Sequence, residues 1–314
     1  LKTIPADTAQ AGIAFFTGKN SKIRARKTEP CIDFKKDAEI ECQSVPYLNA
    51  FLRFCSTIPN FLRQFPYSKS NSRLGGIGLS GVFQRAKLLQ KPIMELKRVK
   101  ARELAQKFLA QEDPLGWFEA LYKVADGDSG IIPWADMVPN PSLVDWLDRK
   151  KISWEGKKAL KIGCGLGDDA EELARRGFKV LAFDISQTAI DWCNKRFPKS
   201  TVEYINTDLF ESPASWNATF DLVVESYTLQ VLPPELRPKT VERISRFAAR
   251  GGTLLVICRG RNPEEDSGRM PWPLTKHELD GFHRHGLKEI AFEDFLDDED
   301  PPVRRYRVMY QRKI

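Results

Sequence analysis

The chain has 314 residues, 42% of them apolar, enough for one large core or two modest ones, and no apolar run is long enough to span a bilayer. Its formal charge of +7 is unevenly spread: residues 1–93 carry 15 Lys/Arg against 6 Asp/Glu, and residues 94–314 carry 34 against 36. The basic excess therefore lies outside the part that carries the motifs below, so neither a nucleic acid nor a membrane is expected as a partner.

From Cys42 to Ile93 there is no acidic residue, but there are six serines and seven Lys/Arg. Residues 1–93 are read as a basic extension, either disordered or a targeting segment. An organised domain is expected over 94–314, and a cytoplasmic location, unless that segment directs the chain to a plastid or mitochondrion. After Met94, the spacing of Leu96, Val99, Leu104, Phe108 and Leu109 predicts a helix. Short helices are predicted from Pro114 to Lys123 and, with proline as first residue, from Pro141 to Asp148. Between them lies a proline-rich stretch containing Trp134, whose aromatic face is suited to cover a ligand. Trp146 is read as packing a helix on the sheet.

The next segment alternates strand and helix. Ala159, Leu160 and Ile162 lead into Gly163-Cys164-Gly165-Leu166-Gly167, where glycines let backbone approach a ligand and the following helix N-terminus favours an anion. A second strand, Phe178 to Phe183, delivers Asp184 followed by Ile185, and a third, Val202 to Ile205, delivers Asp208 and Leu209. An acid about 20 residues beyond such a turn is placed for ribose hydroxyls. A fourth strand, Phe220 to Val224, ends at Glu225, Ser226 and Tyr227, and a helix follows from Pro234 to Ala248. Gly251-Gly252 then launches a fifth strand, Thr253 to Cys258. A helix from Thr275 to His285, closed by Gly286, precedes two strand-like runs, Leu287 to Phe295 and Arg305 to Gln311. The expected fold is α/β: a Rossmann-like, mostly parallel seven-stranded sheet with helices on both faces and a C-terminal antiparallel hairpin. Six cysteines without a CxxC pair read as reduced thiols, and His277, His283 and His285 lack the spacing of a metal site.

From about residue 94 onward the chain resembles the class I S-adenosylmethionine-dependent methyltransferases. The residues that carry this are the glycine turn, Asp184, Asp208-Leu209-Phe210 and Gly251-Gly252. Pro133-Trp134 and Glu225-Ser226-Tyr227 look most like the thiopurine and small-thiol branch. The resemblance implies S-adenosyl-L-methionine as cofactor, with Trp134, Gly163, Gly165, Gly167, Asp184, Ile185, Asp208, Leu209 and Glu225 around it. A departure is Lys161, where the family usually has an acid, and Asp168 and Asp169 are the nearby carboxylates able to offset it.

Gly165 to Ala170 also satisfies G-x-G-x-x-A, with Asp184 19 residues after Gly165, so an NAD(P)-dependent oxidoreductase is the alternative. A non-catalytic cofactor-binding module shares the same residues. Two acids at the helix start would repel a pyrophosphate, which favours methyl transfer. The expected acceptor is a small molecule, most simply a thiol, because a useful thiolate fraction forms near neutrality without a strong base. Glu225 and Tyr227 are the candidate catalytic residues, Arg259 and Arg261 are candidates for holding an acidic substrate, and a monomer is expected.

Overall fold

The computed structural model describes residues 96–150, 153–299 and 301–314. The expected extension, its boundary at Met94, and Cys31, Cys42 and Cys55 lie outside the described residues. Seven strands form one sheet: β1 (Lys158–Ile162), β2 (Lys179–Asp184), β3 (Glu203–Asn206), β4 (Phe220–Ser226), β5 (Ala248–Arg259), β6 (Leu287–Leu296) and β7 (Arg304–Arg312). Their order is β3-β2-β1-β4-β5-β7-β6. The first five pair in parallel, and β7 runs antiparallel to both β5 and β6. The chain thus skips a position after β5 and returns through the gap, so the last strand, not the sixth, adjoins the parallel part.

Apolar alternation along the strands divides the core between two faces. Leu160, Ile162, Val223, Leu254 and Val256 point to one side, and Ala159, Val180, Ala182, Leu222, Val224, Leu255 and Ile257 to the other. Each of the Leu, Ile and Val side chains contributes about 1.5–3 kcal/mol on burial, which is why sheet register follows the pattern.

Among the described residues the α-helices are α1 (96–109), α2 (Gly116–Ala125), α3 (Pro141–Arg149), α4 (Asp168–Arg175), α5 (Gln187–Arg196), α6 (Arg237–Ser245) and α7 (Lys276–Leu279). Leu143, Trp146 and Leu147 of α3, Leu173 of α4 and Ile190 of α5 cover the second face, and Val241 and Ile244 of α6 cover the first. Trp146 stacks against Trp154, whose ring stacks on Phe178, as a packing role requires. A third cluster, built from Ala101, Ala105, Trp117, Leu121, Tyr122 and Leu166, joins α1 and α2 to the glycine turn. Among the described residues no helix is long and apolar enough to cross a membrane.

Three local expectations need correction. Gly251-Gly252 lies inside β5, not ahead of it: Gly251 has φ 73°, and a Cβ on Gly252 would sit 2.7 Å from the Phe220 carbonyl oxygen. The pair lies at an irregularity across which the register of β5 on β4 shifts, from Phe220 opposite Ala248 to Leu222 opposite Thr253. The helix expected from Thr275 to His285 is α7 plus a 3₁₀ segment, Asp280–His285. Thr275 and Glu278 make a reciprocal capping box at its start, and Gly286, at φ 81°, ends it. In α1 the fully buried positions are Ala101 and Ala105, while Leu96 and Leu109 are exposed, because the face that meets α2 holds the small residues.

Candidate functional site

β1 is flanked by β2 on one side and β4 on the other, so the chain direction of the sheet order reverses there, and ligands of such sheets bind beyond the carboxyl ends at that point. Gly163, Gly165 and Gly167 occupy this place with φ of 55°, 54° and 91°. A Cβ on Gly165 would lie 3.3 Å from the Tyr122 hydroxyl and 3.7 Å from the Trp134 ring, so the aromatic cover sits directly over bare backbone. The Trp134 indole N–H donates to the Tyr122 hydroxyl at 2.8 Å, and its ring packs edgewise on Trp117 and Phe118. Burial beside Asp184 pushes the Tyr122 hydroxyl pKa up, so it remains a neutral acceptor for the indole.

Asp184, buried at the end of β2, accepts from the Gly165 N–H at 2.9 Å and the Ser186 N–H at 3.0 Å. Burial pushes its pKa up, against the pull of those amides and of Lys161. A carboxylate has about four lone-pair sites, so two are left for further donors. Ile185 is held through its carbonyl, which accepts from the Asn206 amide at 2.8 Å. Asp208, one strand further, caps the Leu209–Glu211 turn by accepting from the Phe210 N–H at 2.8 Å, and Leu209 is buried in the core below it.

Lys161 is 2% exposed. Its ammonium donates to the Ile162 carbonyl at 2.7 Å and the Gly163 carbonyl at 3.3 Å, and stands 3.8 Å from Asp169. Asp169 also accepts from the Asn140 N–H at 2.7 Å and the Ser226 hydroxyl at 2.8 Å. The lysine therefore fastens the turn from beneath, with Asp169 as its counter-charge. Asp168 is engaged elsewhere, in a two-pronged pair with Arg196 at 2.7 and 2.9 Å.

Glu225 is fully buried at the end of β4, opposite Ile162. Its Oε1 accepts from the Thr228 and Leu229 N–H groups at 2.7 and 3.0 Å, while Oε2 has no hydrogen-bond partner. Burial pushes its pKa up to about 7, opposed by the two amides and Lys161. Tyr227 takes φ 67°, an unusual backbone for a bulky residue, and the Arg305 guanidinium lies 4.9 Å from its ring centre.

Most of the anticipated residues converge on the carboxyl edge of β1, β2 and β4. Arg261 does not: it donates to the Pro273 carbonyl at 3.0 Å and the Glu265 carbonyl at 3.0 Å, and so ties a loop together. Of the histidines, His283 approaches Asp280 and Glu289, but the Lys276 ammonium already bonds both carboxylates. Glu119, Tyr122 and Arg196 were missed by sequence reasoning. Glu119 accepts from the Ser186 hydroxyl at 2.6 Å and the Thr188 N–H at 3.1 Å, binding α2 to the start of α5. These partners are more than 60 residues apart in the chain, and no local motif marks them.

A family model described as a methyltransferase domain matches residues 159–252. The probable thiol methyltransferase 2 of Arabidopsis thaliana is 24% identical over 182 residues, covering 57% of this chain and 76% of that protein. A ubiquinone biosynthesis O-methyltransferase of Azoarcus sp. (strain BH72) is 32% identical over 126 residues, covering 39% of this chain and 52% of that protein. Among solved structures, one reported for the conversion of a disulfide bond into a thioacetal group during echinomycin biosynthesis superposes with a TM-score of 0.52 at 19% identity. It covers 62% of this chain and 90% of that one, a likeness of fold.

Proposed function

We propose that the chain is a class I S-adenosylmethionine-dependent methyltransferase whose acceptor is a small thiol or other soft nucleophile. The methyltransferase-domain match over residues 159–252 favours this reading over the dinucleotide reading of Gly165 to Ala170. The residues present fit the cofactor: bare backbone at the left-handed glycine turn, two spare lone-pair sites on Asp184 for a diol, and an aromatic cover for a flat or cationic group. Trp134, Gly163, Gly165, Gly167, Asp184 and Ile185 would hold its ribose and methionine parts, with Asp208 and Leu209 beside the adenine. When bound, S-adenosylmethionine supplies an activated methyl group on a sulfonium.

The chain's own contribution is alignment and exclusion of water. Asp184 holds the turn by the Gly165 N–H, Lys161 pins it from below, and Trp134 with Tyr122 closes the side above. Glu225 is the observation that carries the choice of acceptor. Its Oε1 is held by two backbone amides and, although Oε2 is unpartnered, the side chain is sealed from solvent, so the carboxyl positions the turn after β4 and offers no exposed atom to take a proton from a hydroxyl or amine. A thiol, with a pKa of about 8.5, needs no such base. Tyr227 lines the acceptor side. The relative named as a thiol methyltransferase supports this reading, and the one named as an O-methyltransferase favours an oxygen acceptor as the second.

Calorimetry of S-adenosylmethionine and S-adenosylhomocysteine against wild type and Asp184→Ala tests the cofactor site. Micromolar binding that the variant loses is expected, and equal binding by both proteins overturns the placement. Initial rates with a thiol, a phenol and an amine of matched size then test the acceptor. Faster turnover of the phenol would replace the thiol reading by the oxygen one.

A further inference from the structure

The side chains at Leu255, Ile257 and Arg259 alternate onto the same face of β5, and β7 presents Arg305 and Arg307 on that face, with Arg305 directly opposite Arg259. Two of these three arginines are saturated. Arg307 bonds Glu293, Asp145 and the Ser142 carbonyl. Arg305 bonds Asp297 and Glu299, each at 2.6 Å, and covers Tyr227. Arg259 differs: among the described residues its guanidinium has no hydrogen-bond or ion-pair partner, although the residue is half-buried. The carboxylate that acts on it, Glu299, is already shared by Arg305 and by Arg98 at 3.6 Å. The strand end is nevertheless fixed, because the Arg259 N–H donates to the Gln230 side chain at 2.7 Å and the Arg259 carbonyl accepts from the Leu274 N–H at 2.8 Å.

We propose that Arg259, backed by Arg305 and Arg98, is an anion subsite for the methyl acceptor, which therefore carries a carboxylate or similar acidic group beside its nucleophile. This rests on the methyl-transfer reading and narrows its substrate class. Arg98, Arg259, Arg305 and Lys97 face Asp297, Glu299 and Asp136 here, and the surplus cation lies at the carboxyl edge of β5, next to Tyr227. Its surroundings are positive enough that burial, with Arg98 and Arg305 nearby, pulls the Arg259 pKa down to about 10, still fully charged at neutrality. A planar guanidinium with free donors matches a carboxylate in two-pronged fashion.

The test compares mercaptoacetate with 2-mercaptoethanol, which are close in size and differ in the acidic group, using the full chain and Arg259→Met and Arg259→Lys. Wild type should favour mercaptoacetate in kcat/KM by about 10-fold or more, the expected worth of one charge-assisted contact. Arg259→Met should lose most of that ratio through KM, and Arg259→Lys should recover part of it. Calorimetric binding of mercaptoacetate to protein saturated with S-adenosylhomocysteine should weaken in parallel. Equal use of both thiols by wild type, or an unchanged ratio in Arg259→Met, overturns the subsite while leaving the thiol reading intact. Binding of mercaptoacetate that depends on Arg259, without turnover of either thiol, upholds the subsite and removes the thiol reading. A loss of S-adenosylhomocysteine affinity in Arg259→Met would assign the anion to the cofactor's own carboxylate and overturn the acceptor assignment.

Discussion

Replacing Glu225 by glutamine should flatten the pH dependence of stability. The carboxyl is fully buried, and burial raises its pKa from an ordinary 4.5 to about 7. A raised acid favours folding while it is protonated, so its contribution is fully present below the unfolded pKa and is lost as pH rises through the folded one. The difference of about 2.5 pH units corresponds to about 3 kcal/mol, which the wild type loses between roughly pH 4.5 and 8. Lys161 and the Thr228 and Leu229 amides already oppose the shift, and without them it would be larger. Glutamine keeps an Oε1 acceptor for both amides and places a neutral group at the unpartnered Oε2 position. Urea unfolding of both proteins at pH 5 and pH 8 measures the effect. The wild type should lose about 2.5 kcal/mol relative to the variant across that interval, because pH 5 already lies above the unfolded pKa. A difference between the two proteins that is the same at both pH values would mean that Glu225 ionises as easily folded as unfolded, and would refute the reasoning.

Gly167→Ala forces an L side chain to φ 91° and puts its Cβ 2.6 Å from the Tyr204 hydroxyl, so it should cost at least about 1–2 kcal/mol and lower the thermal midpoint. An unchanged midpoint would contradict the tight packing of the turn on β3. Arg196→Met breaks the two-pronged pair with Asp168 and its bond to the Leu166 carbonyl, with an expected loss of about 1–2 kcal/mol in urea unfolding, since both partners are partly exposed. If that loss disappears in high salt, the contribution is screened charge alone and not a fixed hydrogen-bonded clamp. Trp134→Phe removes the donor to Tyr122 and should cost about 1 kcal/mol of stability. It should also weaken S-adenosylhomocysteine binding several-fold by calorimetry, and undiminished binding would detach Trp134 from the cofactor.

The parallel part of the fold is legible from residues because its signals are local. A buried parallel strand reads as a short apolar run, and the glycine after β1, the acid that ends β2 and the acid one residue before the end of β4 stand at positions that sequence alone can mark. The glycine turn, Asp184 and Asp208 follow directly, since each is defined by neighbours within a few positions. The double glycine at 251 and 252 misled because a strand start and an irregularity within a strand demand the same freedom from a Cβ. Likewise, alternation identified β6 and β7 as strands without saying which would adjoin β5. What decides the rest is charge pairing across the chain. Sequence presents Lys161 as a departure from a pattern, whereas the fold sets it against Asp169 and two carbonyls. Arg259 and Arg261 are equivalent as residues in a loop, yet Arg261 is consumed by carbonyls and Arg259 is left unmatched beside Arg305. Local propensity and burial patterns depend on neighbours in the chain, whereas the partner of a buried charge depends on which distant strands the sheet brings side by side.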